Sequence, residues 1–203
     1  MSSTGRIDKR QAILDVAFEV FARQGYAQTQ VREIADAAGV AKPTVYSHFG
    51  DKETLFRAAM AAAAAQVDAE NLPILDRLRD PGDDLAATLR DVSYRLIQAC
   101  CAERSRSLRW LTYAQVGRFP DLIATVQERT QVRLREALAD RLGRLCAAGR
   151  LRAADPVQAA EQLLALLTAP MEIRSRLGTR RVPAAEARKV AEAAVETFLC
   201  AYA

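Results

Sequence analysis

The sequence predicts an all-α protein of about nine helices. Apolar residues recur at spacings of three and four from one end of the chain to the other, and no convincing alternating segment of the kind that a half-buried strand requires is present. Glycine, proline and aspartate separate these periodic segments, as they do at helix ends. We expect an N-terminal three-helix domain over residues 1–55 and a larger helical domain over residues 56–203.

The composition narrows the class of protein. The chain has 203 residues, of which 50% are hydrophobic and 27% charged, and no uncharged apolar run approaches the roughly 20 residues that a membrane span needs. The first ten residues lack the apolar stretch of a secretory signal, so we expect a cytoplasmic protein with no membrane partner. The net charge of +4 is compatible with nucleic acid but does not decide the function.

The cysteines do not predict a metal site or a disulfide framework. Cys100, Cys101, Cys146 and Cys200 form no CxxC pair and are not spaced as metal ligands with the single histidine. We interpret all four as buried apolar residues. No metal and no cofactor are predicted.

Three short helices are expected in the first 55 residues. The first has its apolar face on one side and ends at Gly25, where a glycine can take the left-handed cap. Thr29 is the predicted N-cap of the second helix, which ends at Gly39. The third runs from about Lys42 to His48, with Pro43 in its first turn.

The domain boundary is placed inside a fourth helix that begins after Asp51. Pro170 lies within a later predicted helix, where it should cause a kink unless two shorter helices meet there. The helices after the fourth are predicted over Asp83–Glu103, Arg106–Gly117, Asp121–Ala148, Pro156–Leu177 and Pro183–Tyr202.

Residues 31–50 have the pattern of a helix-turn-helix, in which two short helices cross around a tight bend. Ala35 is small where the second helix crosses the first, and Gly39 can adopt the positive φ of the turn. Val45 is apolar where the third helix faces its partner. These three positions predict that the opposite face of the third helix points outward.

The segment from Val31 to Leu55, VREIADAAGVAKPTVYSHFGDKETL, resembles the motif of the tetracycline-repressor (TetR) family, and the resemblance covers about residues 8–60. It implies a homodimer that forms through the last two helices. It also implies binding to a double-stranded DNA operator by the paired N-terminal domains, and release when a small-molecule effector enters the body. The leading hypothesis is therefore a repressor that binds a pseudo-palindromic operator and responds to a small-molecule ligand.

The expected DNA-binding residues follow from the motif. Lys42 and Thr44 are placed to reach base edges in the major groove, while Tyr46 and His48 offer polar groups to phosphates. Lys52 matches the phosphate-binding lysine of the family. The complete predicted set is Thr29, Gln30, Arg32, Lys42, Pro43, Thr44, Tyr46, Ser47, His48 and Lys52, with further contacts from an N-terminal arm carrying Arg6, Lys9 and Arg10.

Two features of the motif are unusual for a DNA reader. Ala41 precedes the recognition helix where the family often has serine, so a side-chain cap is missing at a cost of roughly 1 kcal/mol. Residues 1–60 carry eight basic and seven acidic side chains, a net charge of only +1. Binding would then depend on how the basic residues are arranged.

The body offers candidate ligand and dimer contacts, each with an ordinary alternative. Trp110, Tyr113, Phe119 and Met171 suit an apolar ligand cavity, or they belong to the core. Apolar stripes on the last two helices would form a four-helix dimer interface or pack within one subunit; they comprise Leu163, Leu166, Leu167, Val190, Ala194 and Phe198.

Two other classes of function compete with the repressor. An enzyme is disfavoured because the sequence has no glycine-rich phosphate loop, no GxSxG elbow and no metal cluster, and no catalytic residue is predicted. A helical adaptor that keeps the bihelical fold but binds protein is the alternative. The sequence leaves open the effector, the operator and whether the output is repression or activation.

Overall fold

The computed structural model describes the backbone of residues 3–203 and the side chains of residues 9–203, and that part of the chain contains helices and no strand. A π-helical turn, Glu128–Val132, joins α7 to α8 without a break, so the two count as one long helix and the total is nine, as predicted. The helices are α1 (Ser3–Gln28), α2 (Val31–Ala37), α3 (Lys42–Phe49), α4 (Lys52–Asn71), α5 (Leu85–Cys101), α6 (Glu103–Ala114), α7 (Pro120–Gln127), α8 (Arg133–Ala147), α9 (Pro156–Arg174) and α10 (Ala184–Tyr202).

The chain forms two compact units. The N-terminal unit comprises the described residues up to Gln66 together with Ser107–Glu128. The body unit comprises Val67–Arg106 and Arg129–Ala203. The N-terminal unit therefore includes a second stretch of sequence, which a linear division into 1–55 and 56–203 does not describe. The assignment of DNA binding to residues 1–55, and of effector binding and dimerisation to residues 56–203, stays a prediction.

The N-terminal unit is built around the apolar face of α1. Phe21 is completely buried and its ring meets that of Phe56, on α4, edge to face at 4.9 Å between centroids. The predicted end of the first helix is confirmed as a local break, because Gly25 has φ 79° inside α1. A side chain there would be strained by this left-handed backbone, which glycine tolerates.

The body unit packs α5, α8, α9 and α10 around a second core. Leu89, Leu142 and Val195 are completely buried at its centre. Pro170 lies inside α9, which continues through it, so the alternative of two shorter helices is wrong. The helix survives because Leu163, Leu167 and Met171 anchor the same face on both sides of the proline.

Two further details differ from expectation. A 3-10 helix, Leu72–Leu78, lies between α4 and α5, where no helix was predicted, and it buries Leu75 and Leu78. The prediction of four buried cysteines is also wrong, because three are half-buried and Cys200 is exposed. Among the described residues, no helix is both long enough and apolar enough to span a membrane.

Candidate nucleic-acid interface

The bend between α2 and α3 has the predicted geometry. Ala35 and Val45 are each only 1% exposed, and the two helices pack directly on each other. Gly39 has φ 64°, and the amide of Val40 donates to the carbonyl of Ala35 at 3.0 Å. Only a left-handed residue closes the chain this tightly, which confirms the turn predicted at Gly39.

One face of α3 points outward and the other is buried. Lys42, Pro43, Tyr46 and Ser47 are exposed, with Tyr46 at 41%, while Val45 and Phe49 form the buried side. The ammonium of Lys42 lies 5.5 Å from the centroid of the Tyr46 ring, an arrangement that orients both side chains on the outer face.

The remaining predicted residues of α3 are less accessible. Thr44 and His48 are half-buried. The hydroxyl of Ser47 donates to the carbonyl of Thr44 at 2.8 Å and keeps its acceptor side free for an external donor. The predicted α3 residues therefore fall into two sets. Thr44 and His48 are the half-buried pair, and the exposed group comprises Lys42, Pro43, Tyr46 and Ser47.

The first turn of α3 begins without a side-chain cap, as predicted. Ala41 is the N-cap residue with φ −68° and ψ 142°, and its side chain has no oxygen to accept from the first turn. The amide of Thr44 donates instead to the carbonyl of Ala41 at 2.8 Å.

Thr29 does not have the predicted role. The N-cap of α2 is Gln30, and Thr29 is 1% exposed, with its hydroxyl donating to the carbonyl of Gly25 at 2.8 Å. The N-cap prediction is wrong because that hydrogen bond closes the chain after α1. The backbone N–H of Gln30 donates to the Glu33 carboxylate at 3.0 Å. Both Gln30 and Arg32 are exposed.

Lys52 is held against the end of α1. Its Nζ donates to the carbonyl of Ala27 at 3.2 Å and lies 4.7 Å from the centroid of the Tyr26 ring. Partial burial lowers the pKa of Lys52, and the neighbouring charge of Arg118 lowers it further, while Glu33 acts in the opposite direction.

The predicted N-terminal arm is helical where the structure describes it. Lys9 and Arg10 belong to α1 and are exposed. The guanidinium of Arg10 lies 5.2 Å from the centroid of the Phe49 ring. The side chain of Arg6 lies outside the described residues.

An aromatic cluster lies inside the N-terminal unit, and Lys52 packs against one of its rings. It joins Phe21 and Tyr26 of α1, Phe56 of α4 and Phe119, the N-cap of α7. Phe119 is 2% exposed and meets Tyr26 edge to face at 5.1 Å. Such pairs add about 0.5–1.5 kcal/mol each beyond simple burial. Sequence reasoning missed this cluster because no local pattern links Phe119 to residues some 60 or more positions earlier.

Two family models cover most of the chain. Residues 13–59 match the model described as bacterial regulatory proteins of the tetR family. Residues 87–203 match the model described as the C-terminal domain of AefR-like transcriptional repressors. The chain belongs to the TetR family of transcriptional regulators.

Solved structures share this TetR-family fold over nearly the whole chain. A TetR-family transcriptional regulator from Mesorhizobium loti is 32% identical, with a TM-score of 0.90 over 97% of this chain and 98% of its own. The flavonoid-responsive regulator FrrA is 27% identical, with a TM-score of 0.75 over 96% of this chain and 97% of its own.

Among curated proteins, the transcriptional regulator AcrR from Shigella flexneri is 32% identical over 121 residues. That match covers 60% of this chain and 55% of AcrR. The chain thus spans about half the length of this relative, and the match to the repressor KstR2 from Rhodococcus jostii covers 26% of each chain.

Of the four side chains predicted to line an effector cavity in this TetR-family protein, three belong to the N-terminal unit and one to the body unit. Trp110 and Tyr113, on the part of α6 within the N-terminal unit, are 49% and 57% exposed. Phe119 belongs to the aromatic cluster described above. Met171 lies in the core of the body unit and is 3% exposed.

The apolar stripes of the last two helices are packed inside one TetR-family chain. This is the second of the two alternatives that the sequence left open. Leu166 is partly buried against the body core, and the other five are buried within it: Leu163, Leu167, Val190, Ala194 and Phe198. Among the described residues, no cluster of three histidine, cysteine or acidic side chains is arranged to hold a metal ion.

Proposed function

We propose that this chain is a transcriptional repressor that binds a pseudo-palindromic DNA operator as a homodimer and is released by a small molecule. The outward face of α3 is the observation that supports this function. Lys42, Tyr46 and Ser47 are exposed there, above the buried pair Val45 and Phe49. A helix supported from behind and polar in front can enter the major groove.

The proposed contacts divide between bases and backbone. Lys42 and Thr44, at the start of α3, reach base edges, with Pro43 alongside. Tyr46, Ser47 and His48 contact phosphates and the adjacent sugar. Gln30, Arg32 and Lys52 flank them on the backbone. Thr29 contributes from beneath, because its buried hydroxyl fixes the end of α1.

The proposed dimer uses the outer faces of α9 and α10, since their inner faces are already occupied. Small residues lie on the outer face of both helices: Ala165, Thr168 and Ala169 on α9, and Ala193, Thr197 and Ala201 on α10. The two threonine hydroxyls donate back to their own helices at 2.8 and 2.9 Å, which satisfies them and allows the methyl groups to face a partner. Small side chains let four helices approach closely.

The proposed dimer interface is tested by measuring the molecular mass of the protein in solution. Ala193→Glu introduces a bulky charge into the proposed interface, and we expect it to convert a dimer to a monomer in analytical ultracentrifugation. Ala69→Glu is the matched control, because Ala69 is exposed on another helix, α4. A dimer that persists unchanged in Ala193→Glu contradicts this interface.

The effector is proposed to bind in the body unit, where Met171 is the one of the four predicted ligand residues that lies in that core. The likeness to a flavonoid-responsive regulator supports a small organic effector. An effector with higher affinity for the DNA-free arrangement of the dimer weakens operator binding by that difference in affinity. Binding to chromosomal DNA would place the protein in the cytoplasm.

The decisive experiment uses a random library of DNA duplexes. Repeated selection with the wild-type chain should enrich one pseudo-palindromic sequence. Tyr46→Ala and Lys42→Ala should each lose about tenfold or more in affinity for that duplex while remaining dimeric. Arg90→Ala, which removes an exposed charge from α5, is the control and should bind normally. Failure of the wild-type chain to enrich any duplex contradicts the proposed function, and is the result expected of a protein-binding adaptor.

A further inference from the structure

We propose that Arg118 is a second phosphate-binding residue, placed beside Lys52, which extends the contact with the DNA backbone beyond the helix-turn-helix. Arg118 lies in the connection between α6 and α7, far outside the motif in sequence. The inference rests on the proposed DNA-binding function, and it adds a contact that the motif does not contain.

Tyr26 brings the two cations together. Lys52 Nζ lies 4.7 Å from the centroid of the Tyr26 ring, and Arg118 Cζ lies 4.8 Å from the same point. Because both atoms lie within 5 Å of the same ring centroid, the two charges are at most about 10 Å apart. All three residues belong to the N-terminal unit.

The Arg118 charge has no acidic partner among the described residues. Its side chain is exposed, and the contacts that it makes are with the rings of Tyr26 and Phe119, at 4.8 and 5.3 Å. A ring attracts a cation but does not neutralise it. The Arg118 guanidinium therefore keeps its full charge and its hydrogen-bond donors for an external anion.

Arg57 shows what a neutralised arginine looks like at the same cluster. Its guanidinium also lies over the Phe119 ring, at 4.9 Å, but it pairs with Asp121 at 2.6 Å and with Glu53 at 2.9 Å. Two carboxylates thus occupy the donors of Arg57. Two arginines therefore lie over the Phe119 ring. Arg57 is paired with two carboxylates, whereas Arg118 has no carboxylate partner among the described residues.

Lys52 and Arg118 repel each other, and an anion would remove that repulsion. The Arg118 charge is one cause of the lowered pKa of Lys52. The nearby acid, Glu33, already accepts a hydrogen bond from the Gln30 amide at 3.0 Å. Each DNA strand carries one phosphate per about 3.4 Å of helix axis. Two cations at this separation can therefore meet the same phosphate or neighbouring phosphates of one strand.

The test measures how operator affinity depends on salt, using the duplex selected by the wild-type chain. Each phosphate contact that is lost should lower the slope of log K against log salt concentration by about 0.9. Arg118→Gln should show that reduction, whereas Arg118→Lys, which keeps the charge, should not. Arg90→Gln, at an exposed site on α5, is the control and should keep the wild-type slope.

A second measurement locates the phosphate. Duplexes with a single neutral methylphosphonate are compared position by position. At the phosphate that Arg118 contacts, the neutral group should weaken the wild-type chain but cause no further loss in Arg118→Gln. A uniform loss in both proteins at every position overturns the proposal.

Folding of the variants is checked by helical content and melting temperature. Arg118→Met keeps the aliphatic stem over the aromatic rings and should reproduce the Arg118→Gln slope. If both neutral variants lose helical content, Arg118 is a packing residue and the proposal is wrong. A wild-type chain that binds its selected duplex while Arg118→Gln keeps the same slope overturns this inference alone. A wild-type chain that selects no duplex contradicts the proposed function itself.

Discussion

Arg57 joins α4 to the beginning of α7 through Asp121. The Nη1 atom of Arg57 lies 2.6 Å from Oδ2 of Asp121, although 64 residues separate the two along the chain. The Nε atom of the same guanidinium donates to Glu53 at 2.9 Å. One planar side chain thus holds two carboxylates from different helices, and it does so directly over the ring of Phe119.

The Arg57–Asp121 pair predicts a pH-dependent stability. The hydrogen bond from Arg57 lowers the pKa of Asp121 below its ordinary value of 3.8. The contribution of the Arg57–Asp121 pair to stability is therefore complete above pH 3.8, and it is lost as the pH falls through the lower pKa that Asp121 has in the folded state. Asp121→Asn should melt at a lower temperature than the wild-type chain at pH 7, and the difference should shrink towards pH 3.

Thermal unfolding followed by circular dichroism at several pH values measures this. Glu70→Gln, at an exposed site, serves as the matched neutralisation. A melting-temperature difference between Asp121→Asn and the wild-type chain that stays constant from pH 7 to pH 3 would show that the ion pair is not its cause.

The crossing of α2 and α3 predicts a strong dependence on the size of residue 35. Ala35 is 1% exposed between the two helices, so Ala35→Leu should overpack the contact and lower the free energy of unfolding by about 1–3 kcal/mol. Ala37→Leu makes the same change at an exposed position of the same helix and should have little effect. Urea denaturation of both variants compares them, and equal stabilities would contradict the tight crossing.

Local chemistry explains why the helix-turn-helix could be predicted and other parts could not. Ala35, Gly39 and Val45 each meet a requirement of the bend that a single residue type reveals. The neighbours of Phe119 and Arg118 lie about 60 or more residues away along the chain, and no short spacing encodes such contacts. The sequence therefore predicted the outward face of α3 but not the second stretch of the N-terminal unit.

The apolar stripes show a different limit. Periodicity identifies which face of α9 or α10 is buried, but it does not say whether the burying surface belongs to the same chain. Leu163 and Phe198 satisfy the pattern by packing within the body core. Pro170 shows a further limit. A proline predicts a kink or a break, but α9 continues through it because the anchored apolar face outweighs the loss of one backbone hydrogen bond.

Gly39 predicts a purely conformational cost. Its φ is 64°, and a Cβ added there would meet nothing within 4 Å. Gly39→Ala should therefore lower the free energy of unfolding by roughly 1–2 kcal/mol through backbone strain alone. Gly117→Ala is the matched control, because that glycine also has open space but no positive φ, and it should be neutral or slightly stabilising. Equal effects of the two substitutions in urea denaturation would contradict this explanation.

Ala41 predicts a gain in stability rather than a loss. It already has the extended backbone of an N-cap, and the amide of Thr44 lies within reach of its position. Ala41→Ser supplies a side-chain oxygen that can share the Thr44 amide with the Ala41 carbonyl, which already accepts from it at 2.8 Å, and this should raise the free energy of unfolding by up to about 1 kcal/mol. The same substitution at Ala148, the exposed C-cap of α8, should give no gain, because the end of a helix offers carbonyls rather than free amides. If Ala41→Ser and Ala148→Ser melt at the same temperature, the first turn of α3 does not need a cap. If only Ala41→Ser melts higher, the missing cap is what limits the stability of the recognition helix.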